Sequence, residues 1–186
     1  MQISLVMTVL GRDRTGLVES LARIVAEHGG NWLESRMCRL GGEFAGILRV
    51  HVPAEKKLAL LSALDALSGQ GLNVVARPDA SVPPTENRRL STLDIVGHDR
   101  PGIVRQITRA LASQSVNVEE FASECLSAPM TGEPLFKASA RLVIPDSCDM
   151  DALRRDLEKI ASDLMVDVSF GELAQVGKQS AGDQWN

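Results

Sequence analysis

The chain has 186 residues, 44% hydrophobic and 24% charged, with a net charge of −4. That is the balance of a folded globular protein of one or two domains, and it excludes a disordered or membrane-embedded chain. An acidic chain has no electrostatic footprint for a phosphate backbone, so direct nucleic-acid binding is disfavoured.

Ile3, Leu5, Met7 and Val9 alternate at period two and predict a first strand. A glycine-framed loop follows, Gly11-Arg12-Asp13-Arg14-Thr15-Gly16. Leu17, Leu21, Ile24, Val25 and His28 then recur at helical spacing, and Gly29-Gly30 supplies a left-handed stop. Trp32 to Leu40 and Phe44 to Val52, split by Gly41-Gly42, read as a hairpin. Leu60, Leu64 and Leu67 mark a second helix, and Leu72 to Ala76 a short closing strand.

The same series then begins again. Leu93 and Ile95 precede the loop Gly97-His98-Asp99-Arg100-Pro101-Gly102, with Pro101 suited to a first helical turn. Ile103, Ile107, Ala110 and Leu111 carry the helix, for which Ser115-Val116 is a weaker stop than the glycine pair. Val118 to Leu126 and Leu135 to Ile144 form the second hairpin; Leu153, Leu157 and Ile160 the last helix; Met165 to Phe170 the closing strand. At an offset of 86, Thr8 to Glu34 matches Asp94 to Glu120 at nine of 27 positions. Phe44/Phe136 and Pro53/Pro145 lie 92 apart, so about six residues are inserted in the second hairpin, where a loop tolerates them.

The chain is therefore one module duplicated. The expected fold is α+β: two ferredoxin-like βαββαβ domains, each a four-stranded antiparallel sheet with two helices on one face. The expected boundaries are residues 1–77 for the first domain, 78–88 for a Pro-rich linker, 89–172 for the second domain and 173–186 for a loose tail. The start of the chain has no basic region or cleavage site, and no apolar run approaches membrane-spanning length, so a cytoplasmic protein without a membrane partner is expected. Cys38, Cys125 and Cys148 suggest neither a disulfide framework nor a zinc site, and no cofactor or metal is expected.

A loop that ends a strand and opens a helix presents free backbone N–H groups to an anion. Gly11 and Gly97 are read as permitting the tight turn, Gly16 and Gly102 as allowing close approach, and Asp13 and Asp99 as capping the helix or holding an amino group. Asn31 and Asn117, each opening a second strand, are expected to offer donor and acceptor beside the same sheet end. The same residues also suit a plain scaffold, because glycines at turns and an Asp before a helix are common. Arg14 and Arg100 read equally as solvated loop-tip cations or as ligand contacts, and Glu34 and Glu120 as solvent-face charges. Arg12 and His98 differ between the copies, so the two sites need not be equivalent.

Gly97 to Val104, read as Gly-x-Asp-Arg-Pro-Gly-Ile-Val within a βαββαβ module, resembles the ACT domain, a regulatory module that binds amino acids and other small effectors. The first copy departs from the pattern at Thr15. Two such domains, with Glu34-Ser35-Arg36 and Leu40-Gly41-Gly42-Glu43-Phe44 after the first helix, are similar to the glycine cleavage system transcriptional repressor family. The resemblance implies a non-catalytic regulator with an amino-acid effector, glycine being the signal, and a protein partner such as a transcriptional activator. It places effector contacts on Gly11 to Gly16 and Asn31, and on Gly97 to Gly102 and Asn117. It also implies pairing of domains or a homo-oligomer, such as a dimer, to complete the sites. The alternative is a free-standing ACT subunit controlling an amino-acid or folate enzyme. A catalytic reading, with Arg12 or Arg14 and Asn31 acting on a phosphate as in the acylphosphatase fold, is weak. An RNA-recognition sheet would need stacking aromatics that these strands lack.

Overall fold

The computed structural model describes residues 1–80, 88–128, 132–171 and 174–176. The chain divides into two compact units, Met1–Val82 and Pro83–Asn186.

In the first unit β1 (Gln2–Arg12) leads through the glycine-framed loop to α1 (Leu17–Glu27). β2 (Asn31–Leu40) and β3 (Glu43–Pro53) form the hairpin, joined by Gly41 and Gly42 at φ of 60° and 86°, the left-handed pair of a two-residue turn. α2 (Lys57–Asp65) is shorter than its periodicity suggests, because Leu67 lies in a 3-10 turn over Ala66–Gln70; β4 (Leu72–Pro78) closes the unit. The second unit repeats this as β5 (Arg88–His98), α3 (Ile103–Ser113), β6 (Asn117–Ser127), β7 (Pro134–Ile144), α4 (Met150–Leu164) and β8 (Val166–Phe170). Met165 is not in the last strand but turns into it with φ 55°.

The sheets run β2-β3-β1-β4 and β6-β7-β5-β8, every neighbouring pair antiparallel. This is the expected ferredoxin-like order. A fifth strand, β9 (Ala174–Val176), pairs with Arg88–Leu90 of β5, so part of the expected tail adds to the second sheet. Three residues are too few to show a period, hence no signal in the sequence. Of the expected linker, Pro78 ends β4 and Asp79 is fastened to β1; residues 81–87 lie outside the described residues, as do 177–186 of the tail.

Alternation puts Leu5, Met7 and Val9 on the inner face, where they meet Leu17, Leu21, Ile24, Leu60 and Leu64 of the helices. Leu93, Ile95, Ile103, Ile107, Leu153 and Leu157 form the matching core. Burying a side chain of this size contributes about 1.5–3 kcal/mol, so each unit has a full core of its own. Among the described residues the opposite face of each sheet carries no helix. On it Leu10, Ile47 and Val75 remain about half exposed.

Candidate functional site

Both loops leave the same end of their sheets, and both are held there by backbone. The Asp13 N–H donates to the Gly42 carbonyl at 2.9 Å, and the Asp99 N–H to the Pro134 carbonyl at 3.0 Å. Gly42 and Pro134 occupy equivalent places beside the opening of the third strand. Each loop thus sits over its hairpin.

The glycine roles are the reverse of those expected. Gly11 and Gly97 make no turn; they lie inside β1 and β5, opposite the entry of the last strand. A Cβ on Gly97 would lie 2.6 Å from the Cα of Val166, and one on Gly11 would press on the carbonyl oxygen of Gly71. Gly16 and Gly102 are the turning residues, with φ of 91° and 98°, and they cap α1 and α3. Pro101 accordingly lies one residue before the cap rather than inside the first turn.

Asp13 and Asp99 do not cap these helices. No side chain does, in contrast to α4, where the Asp149 carboxylate accepts from the N–H groups of Asp151 and Ala152. The first-turn N–H groups of α1 and α3 thus have no side-chain cap, and α1 carries Glu19 in that turn where α3 has no acidic residue. Asp13 instead pairs with Arg39 of β2, Oδ2 to Nε at 2.6 Å. Arg14 donates to the Gln70 carbonyl at 3.3 Å, and Arg12 and Thr15 are exposed, Arg12 opposite Glu43. In the second loop His98 Nδ1 stands 3.7 Å from Glu133, and the Arg100 guanidinium 3.9 Å from the Met165 sulfur. The Cys125 thiol faces Asp99; desolvation, and then the charge and hydrogen bond of that carboxylate, raise its pKa above the ordinary thiol value.

Asn31 and Asn117 do not join the loops. Asn31 pairs with His51, which pairs with Ser4, whereas the loop leaves from Arg12. Eight residues of strand separate those rows, roughly 26 Å. Asn117, in the row of Val143 and Leu90, is equally far from His98. No small ligand reaches both ends within one domain. The Arg-and-Asn arrangement of a phosphatase-type reading is likewise not assembled in the first unit.

A second feature is matched between the two units. Each second strand bulges at the same place, between Trp32 and Glu34 and between Val118 and Glu120. Arg49 then faces Glu34 at 3.4 Å, and Arg141 faces Glu120 at 2.8 Å, on the open face of each sheet. Glu34 and Glu120 are thus paired rather than merely solvated. Arg49 and Arg141 lie 92 apart, the offset of the third strands, which was the available signal.

Among the described residues no cluster of His, Cys, Asp and Glu could hold a metal, all three cysteines are free, and no helix is long and apolar enough to cross a membrane. Residues 4–75 match the family model of the ACT domain. The first unit is therefore an ACT domain. The second unit repeats its fold.

The chain resembles the glycine cleavage system transcriptional repressor of Escherichia coli, at 29% identity over 126 residues, covering 64% of this chain and 63% of the repressor. It is also 26% identical over 174 residues to phosphoserine phosphatase SerB2 of Mycobacterium tuberculosis, covering 90% of this chain and 40% of the phosphatase. The chain therefore spans less than two thirds of either relative. Among solved structures, a protein of unknown function from Galdieria sulphuraria is 30% identical with a TM-score of 0.78, covering 95% of this chain and 99% of that one. A candidate glycine cleavage system transcriptional repressor shares the tandem fold at 18% identity and a TM-score of 0.65, with the same coverage.

Proposed function

We propose that this two-unit protein is a non-catalytic, amino-acid-responsive regulator that acts through a protein partner, with glycine as effector and a transcriptional regulator of glycine cleavage as its role. One observation carries the reading: two loops pose an aspartate, an arginine and an uncapped helix N-terminus together at a sheet end. A free amino acid has one cationic and one anionic end, and such a loop has a group for each. Likeness to the repressor supports the choice of glycine and of a transcriptional partner. The regulator acts by differential affinity, the effector favouring one state of the assembly over another.

Calorimetry of the full chain against glycine, serine and the other amino acids tests the effector. Saturable binding is expected; no heat and no thermal stabilisation at millimolar ligand would remove it. Co-purification from cell extract with and without glycine tests the partner, with retention of a transcriptional activator expected. A second reading, a free-standing subunit controlling an amino-acid or folate enzyme, draws on the alignment of 90% of this chain with part of a phosphoserine phosphatase. Retention of a metabolic enzyme instead of an activator would favour it.

A further inference from the structure

The duplicated loops are posed alike but differ in one decisive neighbour. Adding the 86-residue offset to Arg39 gives Cys125, and the strand pairing agrees: Arg39 lies opposite Phe44, and Cys125 opposite the equivalent Phe136. The cation that holds the loop aspartate in the first unit is replaced by a neutral thiol in the second.

We infer that this position decides which loop takes the ammonium group of an amino acid, so that the second unit binds it through Asp99 and the first does not. The inference rests on the loop reading proposed above and narrows it to one of two sites. In the first loop an incoming ammonium would have to displace a guanidinium already 2.6 Å from Asp13. In the second, no cation among the described residues lies within ion-pair distance of Asp99; His98 is turned toward Glu133 and Arg100 toward the Met165 sulfur. An amino acid at the second loop places its ammonium on Asp99 and its carboxylate toward Arg100 and the uncapped first turn of α3. The first loop, with its aspartate occupied, suits an anion without an amino group.

Titration calorimetry of the full chain with glycine, and with acetate as the ligand that lacks the ammonium, provides the test. One glycine per chain is expected for the wild type. Cys125→Arg, which installs the first unit's cation, weakens glycine by up to about fivefold, and Asp99→Asn weakens it roughly tenfold or more, while Cys125→Ser keeps a neutral donor and retains binding. Arg39→Cys frees Asp13 and raises the stoichiometry to two. Circular dichroism checks that each variant folds, and the gain in Arg39→Cys cannot arise from misfolding. Glycine binding that is indifferent to Cys125→Arg and Asp99→Asn would overturn the assignment while leaving amino-acid binding intact. Acetate that competes with glycine for its one site at equal affinity, so that the ammonium adds nothing, would overturn it too. A wild type that binds no amino acid would instead remove the loop reading itself, and this assignment with it.

Discussion

Gly97 lies against Val166 so closely that a Cβ on the glycine would stand 2.6 Å from the valine Cα and 2.7 Å from the Met165 carbonyl oxygen. Both neighbours are backbone, so neither can swing away. Gly97→Ala must therefore push β8 off β5, and overpacking of this kind costs about 1–3 kcal/mol. Urea denaturation should show the loss, and Gly11→Ala should behave alike, since Gly71 backbone occupies the same space. A wild-type midpoint for Gly97→Ala would mean that β8 is not fixed there.

Ser115 occupies the left-handed region, φ 57°, at the place where the first unit has Gly29, φ 67°. The hydrogen bonds are the same in kind: Gly29 to Ala26 at 2.9 Å and Ser115 to Ala112 at 3.0 Å. A side chain in that region costs about 1–2 kcal/mol that glycine avoids. Ser115→Gly should stabilise the second unit by about 1 kcal/mol, offset in part by the greater freedom of the unfolded glycine. Gly29→Ser should destabilise the first by a similar amount. Thermal melts of the two variants, moving in opposite directions, check both.

Asp79 ties the strand after it is complete. Its carboxylate, 8% exposed, accepts from the Ser4 hydroxyl at 2.8 Å and stands 3.6 Å from Arg49, while its N–H donates to the Ser4 carbonyl. Asp79→Asn keeps the packing but removes the charge; Asp79→Ala removes both hydrogen-bond acceptors and leaves the Ser4 hydroxyl to find water. A loss of about 1–3 kcal/mol is expected for alanine and less for asparagine. Equal losses would show that the charge contributes most. Hydrogen exchange at the Asp79 amide should quicken in the alanine variant, because the backbone bond then stands without its side-chain companion.

The Cys125 thiol has its pKa raised, first by desolvation and then by the Asp99 charge and hydrogen bond. Raising a thiol pKa lowers the thiolate fraction at any pH below it, and the thiolate is the nucleophile. Asp99→Asn removes the carboxylate charge, so alkylation of Cys125 by iodoacetamide near pH 8 should accelerate, with its pH profile displaced to lower pH. An unchanged profile would show that desolvation alone sets the thiol.

The fold was legible because its elements repeat their periods twice. Leu5, Met7 and Val9 alternate, Leu17, Leu21 and Ile24 recur at helical spacing, and the rise in offset from 86 to 92 marks the insertion. The site was less legible, for three different reasons. Gly11 and Gly97 read as turn glycines because the backbone that crowds them, at the entry of the closing strand, is distant in sequence. A strand-helix-strand crossover makes β1 and β2 parallel, so each second strand, with Asn31 or Asn117 at its start, begins at the end away from the loop. Arg39 and Cys125 carry no motif, and only the hairpin pairing brings them to the loop aspartates.

The common register of the two sheets gives the molecule a built-in comparison. Row for row, Arg39 and Cys125, Gly29 and Ser115, and Gly42 and Pro134 stand at matched positions in one polypeptide, made at one concentration and kept in one buffer. A substitution in one half can thus be read beside its unaltered twin in the same sample. Exchanging the residues of any pair converts a natural difference between duplicated domains into a reversible one.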